Sequence, residues 1–244
     1  MRLRDGGKSA VNALAGIFGA RVVNSVWGPR GAFDSLKRVK AQGVAPGLVF
    51  DIGAAGGDWT RECREIFPAA RFVLAEPLPE NWQSLEAIGA QGGAISLWRG
   101  ALGATAGKSR LNRHGDQSSV LRSLDFDAPQ LTVDVTTVDQ LFDDHSAHTP
   151  VLLKADVQGY ELEVLKGATR CLQFTELLLL EVSFQRLYEA SSLAHEIIAF
   201  LGERGFGIYD ICSYVQRPRD GTLAQADILF AHQDSRLFSR DGWK

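Results

Sequence analysis

A bend of small residues that follows an apolar run carries the first chemical signal of this 244-residue sequence. Its glycines, Gly53, Gly56 and Gly57, let the backbone turn sharply and leave no side chain between the bend and a bound molecule. Asp51 stands shortly before the first glycine, and Asp58 directly follows the last. The pattern predicts a loop that binds a flat ligand beside carboxylate groups.

The charge of this bend separates two classes of nucleoside ligand. A dinucleotide-binding loop has the order Gly-x-Gly-x-x-Gly, so that helix amides meet a pyrophosphate. Here the order is Asp-x-Gly-x-x-Gly-Gly, and a carboxylate in this place repels a pyrophosphate but accepts a cation. S-adenosylmethionine (SAM) carries a sulfonium and an ammonium, so the pattern favours SAM over NAD.

Glu76 ends the next apolar run, about 20 residues after Gly56. In nucleoside-binding α/β domains, an acid at this point accepts hydrogen bonds from the ribose hydroxyls. Asp51, Gly53, Gly56 and Glu76 are therefore predicted to hold the cofactor. The alternative is that Asp51 and Glu76 are only solvated strand ends.

These residues need a scaffold that brings them to one edge. From residue 48 onward, short apolar runs alternate with segments of helical period, which is typical of a mostly parallel sheet with helices on both faces. The predicted strands are 48–52, 71–75, 95–99, 151–155 and 176–182. The predicted helices lie near 59–66, 79–88, 161–172 and 193–204. Two later β-like runs, 207–215 and 226–231, predict a C-terminal antiparallel hairpin.

The domain organisation predicted from these elements is one Rossmann-like α/β domain at 48–244, preceded by a helical extension at 1–47. A stretch at about 108–141 is too long for a simple connection and is expected to be functional. The apolar run at 10–20 follows basic residues, but Asn12 and Gly16 interrupt it. We therefore expect an N-terminal helix there rather than a signal peptide.

The bulk properties exclude several classes of partner. A formal net charge of −3 and the absence of a long Lys/Arg run argue against a nucleic-acid substrate. No stretch approaches the roughly 20 apolar residues of a membrane span, so we expect no stable membrane insertion. Three widely separated cysteines without metal-ligand spacing predict no metal site and a reduced, cytoplasmic setting.

Three segments together resemble the FkbM family of SAM-dependent methyltransferases. They are residues 51–58 (DIGAAGGD), the pair Glu76 and Pro77, and residues 153–168 (LKADVQGYELEVLKGA). The resemblance extends from about 48 to 231, and it implies a class I methyltransferase fold that O-methylates a small hydroxylated metabolite or sugar. Family members often carry Glu where this chain has Gln158, so a metal site that depends on that carboxylate is not expected here.

The remaining predicted cofactor contacts depend on this resemblance or on the fold. Ser118 and Ser119, in the insertion, are expected to bind the SAM carboxylate or the acceptor, with a simple turn as the alternative. Ala101 and Leu102 follow the third strand, where backbone groups would contact the adenine. The other predicted contacts are residues beside the bend or beside Glu76: Ala54, Trp59 and Pro77.

Two residues are candidates for the base that a hydroxyl acceptor requires. Asp156 ends the fourth strand at the same edge as Asp51 and Glu76, although it could also cap the following helix or brace the Gly53 loop. His114 lies in the insertion, where a lid could close, or is plain surface. In the same strand as Asp156, Lys154 interrupts an apolar run and needs a partner, for which we expect Glu181.

Two other functions remain open at this point. An NAD-dependent oxidoreductase or epimerase shares the acidic end of the second strand, but this chain lacks the dinucleotide loop and a suitably placed Tyr-x-x-x-Lys pair. A non-catalytic SAM-binding module is the other alternative, although the intact loop and the long insertion argue against it. The sequence leaves the acceptor and the oligomeric state unknown.

Overall fold

Ten strands occur in the computed structural model, which describes residues 29, 31–115, 117–125 and 127–238. They are β1 (Leu48–Ile52), β2 (Arg71–Ala75), β3 (Ile95–Trp98), β4 (Ala101–Leu102), β5 (Gly107–Asn112), β6 (Gln130–Thr136), β7 (Val151–Ala155), β8 (Thr175–Ser183), β9 (Phe206–Gln216) and β10 (Leu223–His232). The helices of this described part are α1 (Ala32–Ala41), α2 (Asp58–Ile66), α3 (Pro79–Ala90), α4 (Val138–Asp143), α5 (Glu161–Lys166) and α6 (Ala194–Gly202).

The main sheet has the strand order β3-β2-β1-β7-β8-β10-β9. The first five of these strands are parallel, whereas β10 runs antiparallel to both β8 and β9. This confirms the mostly parallel sheet with a C-terminal antiparallel hairpin. The chain leaves β1 toward β2 and β3 and later returns to β7 on the other side, so the topological switch point lies between β1 and β7.

Helices cover both faces of this sheet, as predicted. On one face, α4, α5 and α6 bury residues such as Phe142, Leu165 and Leu201 against β1, β7 and β8. On the other face, α1, α2 and α3 contribute Leu36, Cys63 and Leu85, respectively, to a second cluster. Every residue of β1 and β7 is buried because both faces are covered.

The predicted helix at 161–172 is wrong in its second half, because α5 ends at Lys166. In a longer helix, the carbonyl of Gly167 would accept a hydrogen bond from the N–H of Cys171. Instead, Gly167 O accepts from the N–H of Asp139 at 2.9 Å, and the Cys171 N–H donates to the Asp139 carboxylate at 2.9 Å. Asp139, on α4, thus forms hydrogen bonds with both groups that would have paired with each other in a longer helix. A 3₁₀ turn at Cys171–Phe174 follows.

The long stretch after β3 forms a small second sheet with the order β4-β6-β5. A separate apolar cluster lies beneath it, formed by Leu78, Leu111, Val133 and Ala101. This cluster joins the insertion to the loop that follows β2. The insertion therefore lies against the carboxyl edge of the main sheet, where the predicted site residues also end.

Part of the predicted N-terminal extension is described, and the rest lies outside the described residues. Helix α1 buries Leu36 and Val39 in the second cluster, and Gly31 N donates to the Cys212 carbonyl of β9 at 2.8 Å. Residues 1–28 and 30 are not described. Within the described ranges, no helix combines the length and the apolar composition that crossing a bilayer requires.

Candidate active site

A cavity of about 340 Å³ opens at the carboxyl edge of the sheet, beside the switch point between β1 and β7. This volume falls at the lower end of the range for small-molecule sites, about 300–1,000 Å³. Of the residues predicted from the sequence, it brings together Gly53, Glu76, Pro77, Ala101, Leu102, Ser118, Ser119 and Asp156. Residues from five separate regions of the chain therefore share one concave site.

The first wall of the cavity is the bend after β1. Gly53 has φ +75, and a Cβ there would lie 2.0 Å from the carbonyl oxygen of Asp156. Its N–H and that of Ala54 donate to the Ala75 carbonyl at 2.9 and 3.2 Å. Only glycine satisfies both the positive φ and this close approach, so Gly53 joins the ends of β1, β2 and β7.

A buried ion pair stands directly behind this bend. Lys154 Nζ lies 3.0 Å from Asp51 Oδ1 and donates to the Gly53 carbonyl at 2.9 Å. The hydroxyl of Thr60 donates to Asp51 Oδ2 at 2.5 Å. Burial by itself lowers the pKa of Lys154, but the surrounding carboxylates, Asp51 first, raise it by more, so its net pKa is raised and the ammonium stays charged.

The expected pairing of Lys154 with Glu181 is therefore wrong. Lys154 and Asp51 are register partners on the neighbouring strands β7 and β1, so their side chains leave the sheet on the same face. On β8, the register partner of Lys154 is Leu179, and Glu181 lies two residues further along. Glu181 instead accepts hydrogen bonds from Gln158 and Gln225 at 3.2 and 2.7 Å.

Several residues predicted to contact the cofactor do not line the cavity. Asp51 is fully buried and faces Lys154 and Thr60. Trp59 lies on the same face, with its ring centroid 5.9 Å from Lys154 Nζ. Ala54 and Gly56 are also absent from the lining of the cavity. The structure thus places Asp51 as a support of the bend, and direct contact of these residues with the cofactor stays a prediction.

Glu76 is nearly inaccessible, yet its carboxylate lines the cavity. Its Oε1 accepts from the N–H of Leu78 and its Oε2 from the N–H of Ala55, both at 2.8 Å. Burial raises the pKa of Glu76, and these two hydrogen bonds, with a third from Asn81, offset part of that rise. Three hydrogen bonds leave one of the roughly four lone-pair sites of the carboxylate free, so Glu76 can still accept from a ligand hydroxyl.

Asp156, at the end of β7, also lines the cavity, and one of its carboxylate oxygens is hydrogen-bonded. Its Oδ1 accepts from Gln158 Nε2 at 2.9 Å. The carboxylate of Glu161, and not that of Asp156, accepts the backbone N–H groups of Val157 and Gly159, at 3.0 and 3.2 Å. Glu161 therefore caps the start of α5, which leaves the side chain of Asp156 for another role.

The insertion contributes a loop with two serines at the cavity. The Ser118 hydroxyl donates to the Gly115 carbonyl at 2.7 Å and closes a turn. Ser119 Oγ donates to the Gln158 carbonyl at 2.9 Å and so ties the loop to the end of β7. His114 is exposed and does not line the cavity, although Gly115 beside it does.

Sequence reasoning missed part of the cavity wall. The missed residues include Ala55, Leu78, Asn81, Leu111, Val120 and Tyr160. Asn81 carried a usable signal, because it is a polar residue in the first turn of the helix that follows Glu76. The apolar members look like ordinary core residues, and only the packing of the small sheet against the main one brings them here.

The family model described as "Methyltransferase FkbM domain" matches residues 51–208, which is more than half of the chain. The chain belongs to the FkbM methyltransferase family. This membership gives the reaction class, methyl transfer, and the cofactor, SAM. The FkbM assignment also decides against the oxidoreductase alternative.

Relatives of this FkbM chain include the hexuronic acid methyltransferase AglP of Haloferax volcanii, 24% identical over 70% of this chain and 72% of that protein. A solved FkbM methyltransferase from Methylobacillus flagellatus is 19% identical with a TM-score of 0.49; 77% of this chain is covered, but only 44% of that one. The SAM-bound magnesium protoporphyrin IX methyltransferase of Synechocystis is 16% identical with a TM-score of 0.48, over 95% of this chain and 98% of the other.

The FkbM cavity fits a cationic nucleoside. Glu76 and Asp156 line it, and no Lys, Arg or His is found among the lining residues that the structure describes. Gly53 brings backbone to the cavity with no side chain in between. Two carboxylates and a bend without side chains suit the sulfonium and ribose of SAM, whereas a pyrophosphate would meet two carboxylates and no cationic side chain in the lining.

The ion pair behind the bend yields a prediction about stability. Replacing Lys154 with Met leaves the Asp51 carboxylate buried without its counter-charge, so the free energy of unfolding should fall by about 3–5 kcal/mol. The matched control is K108M, which breaks an exposed pair with Asp134 and should cost at most about 1 kcal/mol. Urea denaturation of both variants provides the measurement, and equal losses would contradict this role of the pair.

Proposed function

We propose that this FkbM chain is an O-methyltransferase, which transfers a methyl group from SAM to a hydroxyl of a small metabolite or saccharide. The observation that carries this proposal is that Asp156 and Glu76 line the same cavity, at the ends of the two strands that flank β1. Among the described residues, hydrogen bonds to the Asp156 carboxylate reach only Oδ1, so Oδ2 is available to an acceptor hydroxyl. Methyl transfer to a hydroxyl needs such a group to accept the proton.

Each residue of the site has a separate task in this proposal. Bound SAM supplies an electrophilic methyl group on its sulfonium. Glu76 accepts hydrogen bonds from the ribose, and the Gly53 bend lets backbone approach the ligand closely. Asp156 holds the acceptor hydroxyl and accepts its proton. Because the reaction is a direct displacement, correct placement of the two reactants contributes much of the rate.

A saccharide is the acceptor class that the similarities favour. The relative from Haloferax volcanii is named a hexuronic acid methyltransferase, and the FkbM resemblance points to small hydroxylated acceptors. The low net charge supports a small molecule rather than a nucleic acid. Cys63, Cys171 and Cys212 are all free and buried, which supports the reduced, cytoplasmic setting expected from the sequence.

The role of Glu76 is tested by cofactor binding. Glu76→Gln keeps the shape of the side chain but removes the charge that faces the cationic cofactor, so we expect SAM affinity to fall at least tenfold, or about 1.4 kcal/mol. The matched control is E86Q on the exposed side of α3, where Glu86 pairs with Arg99. Calorimetric titration should give wild-type SAM affinity for the control, and equal affinities in the two variants would contradict the role of Glu76 in binding the cofactor.

The role of Asp156 is tested by turnover. Asp156→Asn removes the proton acceptor, so kcat should fall about 10²-fold to 10⁴-fold while the Kd of SAM changes little. Formation of S-adenosylhomocysteine with a panel of neutral sugars, uronates and other hydroxylated metabolites is the assay. Wild-type turnover in this variant would remove Asp156 as the base. If no acceptor yields product with the wild-type protein, the chain is a SAM-binding module instead.

A further inference from the structure

The side chain of Gln158 joins three other groups at the wall of the cavity. Its Nε2 donates to Asp156 Oδ1 at 2.9 Å and to Glu181 Oε2 at 3.2 Å. Its Oε1 lies 3.0 Å from the hydroxyl of Tyr188, whose single proton has the Gln117 carbonyl, at 3.1 Å, as a second acceptor. A primary amide has two N–H donors and one acceptor oxygen, so each of its groups has a partner of the right kind.

The backbone of Gln158 is held as firmly as its side chain. Its backbone φ is +55, a left-handed value that residues other than glycine rarely adopt. Ser119 Oγ donates to its carbonyl at 2.9 Å. A residue kept in an unfavourable conformation at the edge of a ligand cavity points to a functional requirement for its side chain.

Acidic side chains crowd this part of the molecule. The titratable and charged groups around the Gln158 amide come from every element packed there: Lys154 and Asp156 at β7, Glu161 on α5, Glu181 on β8, Asp227 on β10, and Tyr188 after β8. Burial first, and then Asp156, raises the pKa of Glu181 to about 8, while Lys154 lowers it. Burial also raises the pKa of Glu161 to about 7.

We propose that Gln158 is the positioning residue for the base: its amide fixes Asp156 Oδ1, leaves Oδ2 for the acceptor hydroxyl, and separates Asp156 from Glu181. This role rests on the proposed O-methyl transfer. An ionised carboxylate at position 158 has no donor for either neighbour and adds a third carboxyl group to the contact between Asp156 and Glu181. Gln158 thus acts through Asp156 and does not touch the reacting atoms.

The pH dependence of turnover distinguishes this role from a purely structural one. In Gln158→Glu, adjacent carboxylates titrate as a coupled group and share a proton, so the rising limb of kcat/KM should move to higher pH by about one unit or more. Activity should recover above the shifted limb. The Kd of SAM should stay within about threefold of the wild-type value, because Glu76 and the Gly53 bend are unchanged.

Gln158→Asn separates positioning from charge. Asparagine tolerates the left-handed backbone and keeps an amide, but its shorter side chain does not span the two carboxylates. We expect kcat to fall at least tenfold, with the rising limb and the KM of the acceptor close to wild type. Gln173→Glu is the matched control, since it adds the same charge at an exposed position before β8, at the opposite edge of the sheet. Its pH profile should match that of the wild type.

The outcomes of these experiments separate the role of Gln158 from the proposed function. A rising limb in Gln158→Glu within about 0.3 pH unit of wild type would overturn the charge separation, and wild-type kcat in Gln158→Asn would overturn the positioning. If Asp156→Asn keeps full turnover, the proposed base itself fails. If Asp156→Asn loses activity while the Gln158 variants keep the wild-type kcat and pH profile, the proposed O-methyl transfer is supported and only the role of Gln158 is overturned.

Discussion

The ammonium group of Lys154 connects Asp51 on β1 with the carbonyl oxygen of Gly53, and the shape of the cavity depends on this connection. Three strands end at this point, and the ion pair adds a side-chain connection to the backbone hydrogen bonds that join their ends. A buried charge is costly unless it is paired and hydrogen-bonded, so the pair permits one arrangement of the bend. Glu76 and Asp156, which follow the two strands beside β1, line the same cavity.

Much of the fold could be predicted from the sequence because the sheet is buried on both faces. Apolar runs between turn residues set the bounds of β1, β2 and β7, and the structure has them at the same residues. Three site residues, Gly53, Glu76 and Asp156, could be predicted in the same way, because they lie directly at the ends of these strands. In a parallel sheet, such residues must meet at one edge.

The features that could not be predicted from the sequence depend on contacts between distant segments. The direction of the Asp51 side chain followed from the register of β1 with β7, which no local pattern encodes. The early end of α5 followed from Asp139, which lies on another helix. The apolar wall of the cavity comes from the insertion, whose residues become a binding surface only when the small sheet packs on the main one.

The central claim is our proposal that Asp51 acts on the cofactor site through Lys154 and the bend; the direct contact predicted from the sequence is the alternative. A double-mutant cycle of SAM affinity tests it, with Asp51→Asn, Lys154→Met and the combined variant titrated calorimetrically at a temperature where all are folded. Because both substitutions break one interaction, the account predicts that the combined variant binds SAM no more weakly than the weaker single variant. Losses that add in the combined variant would contradict it.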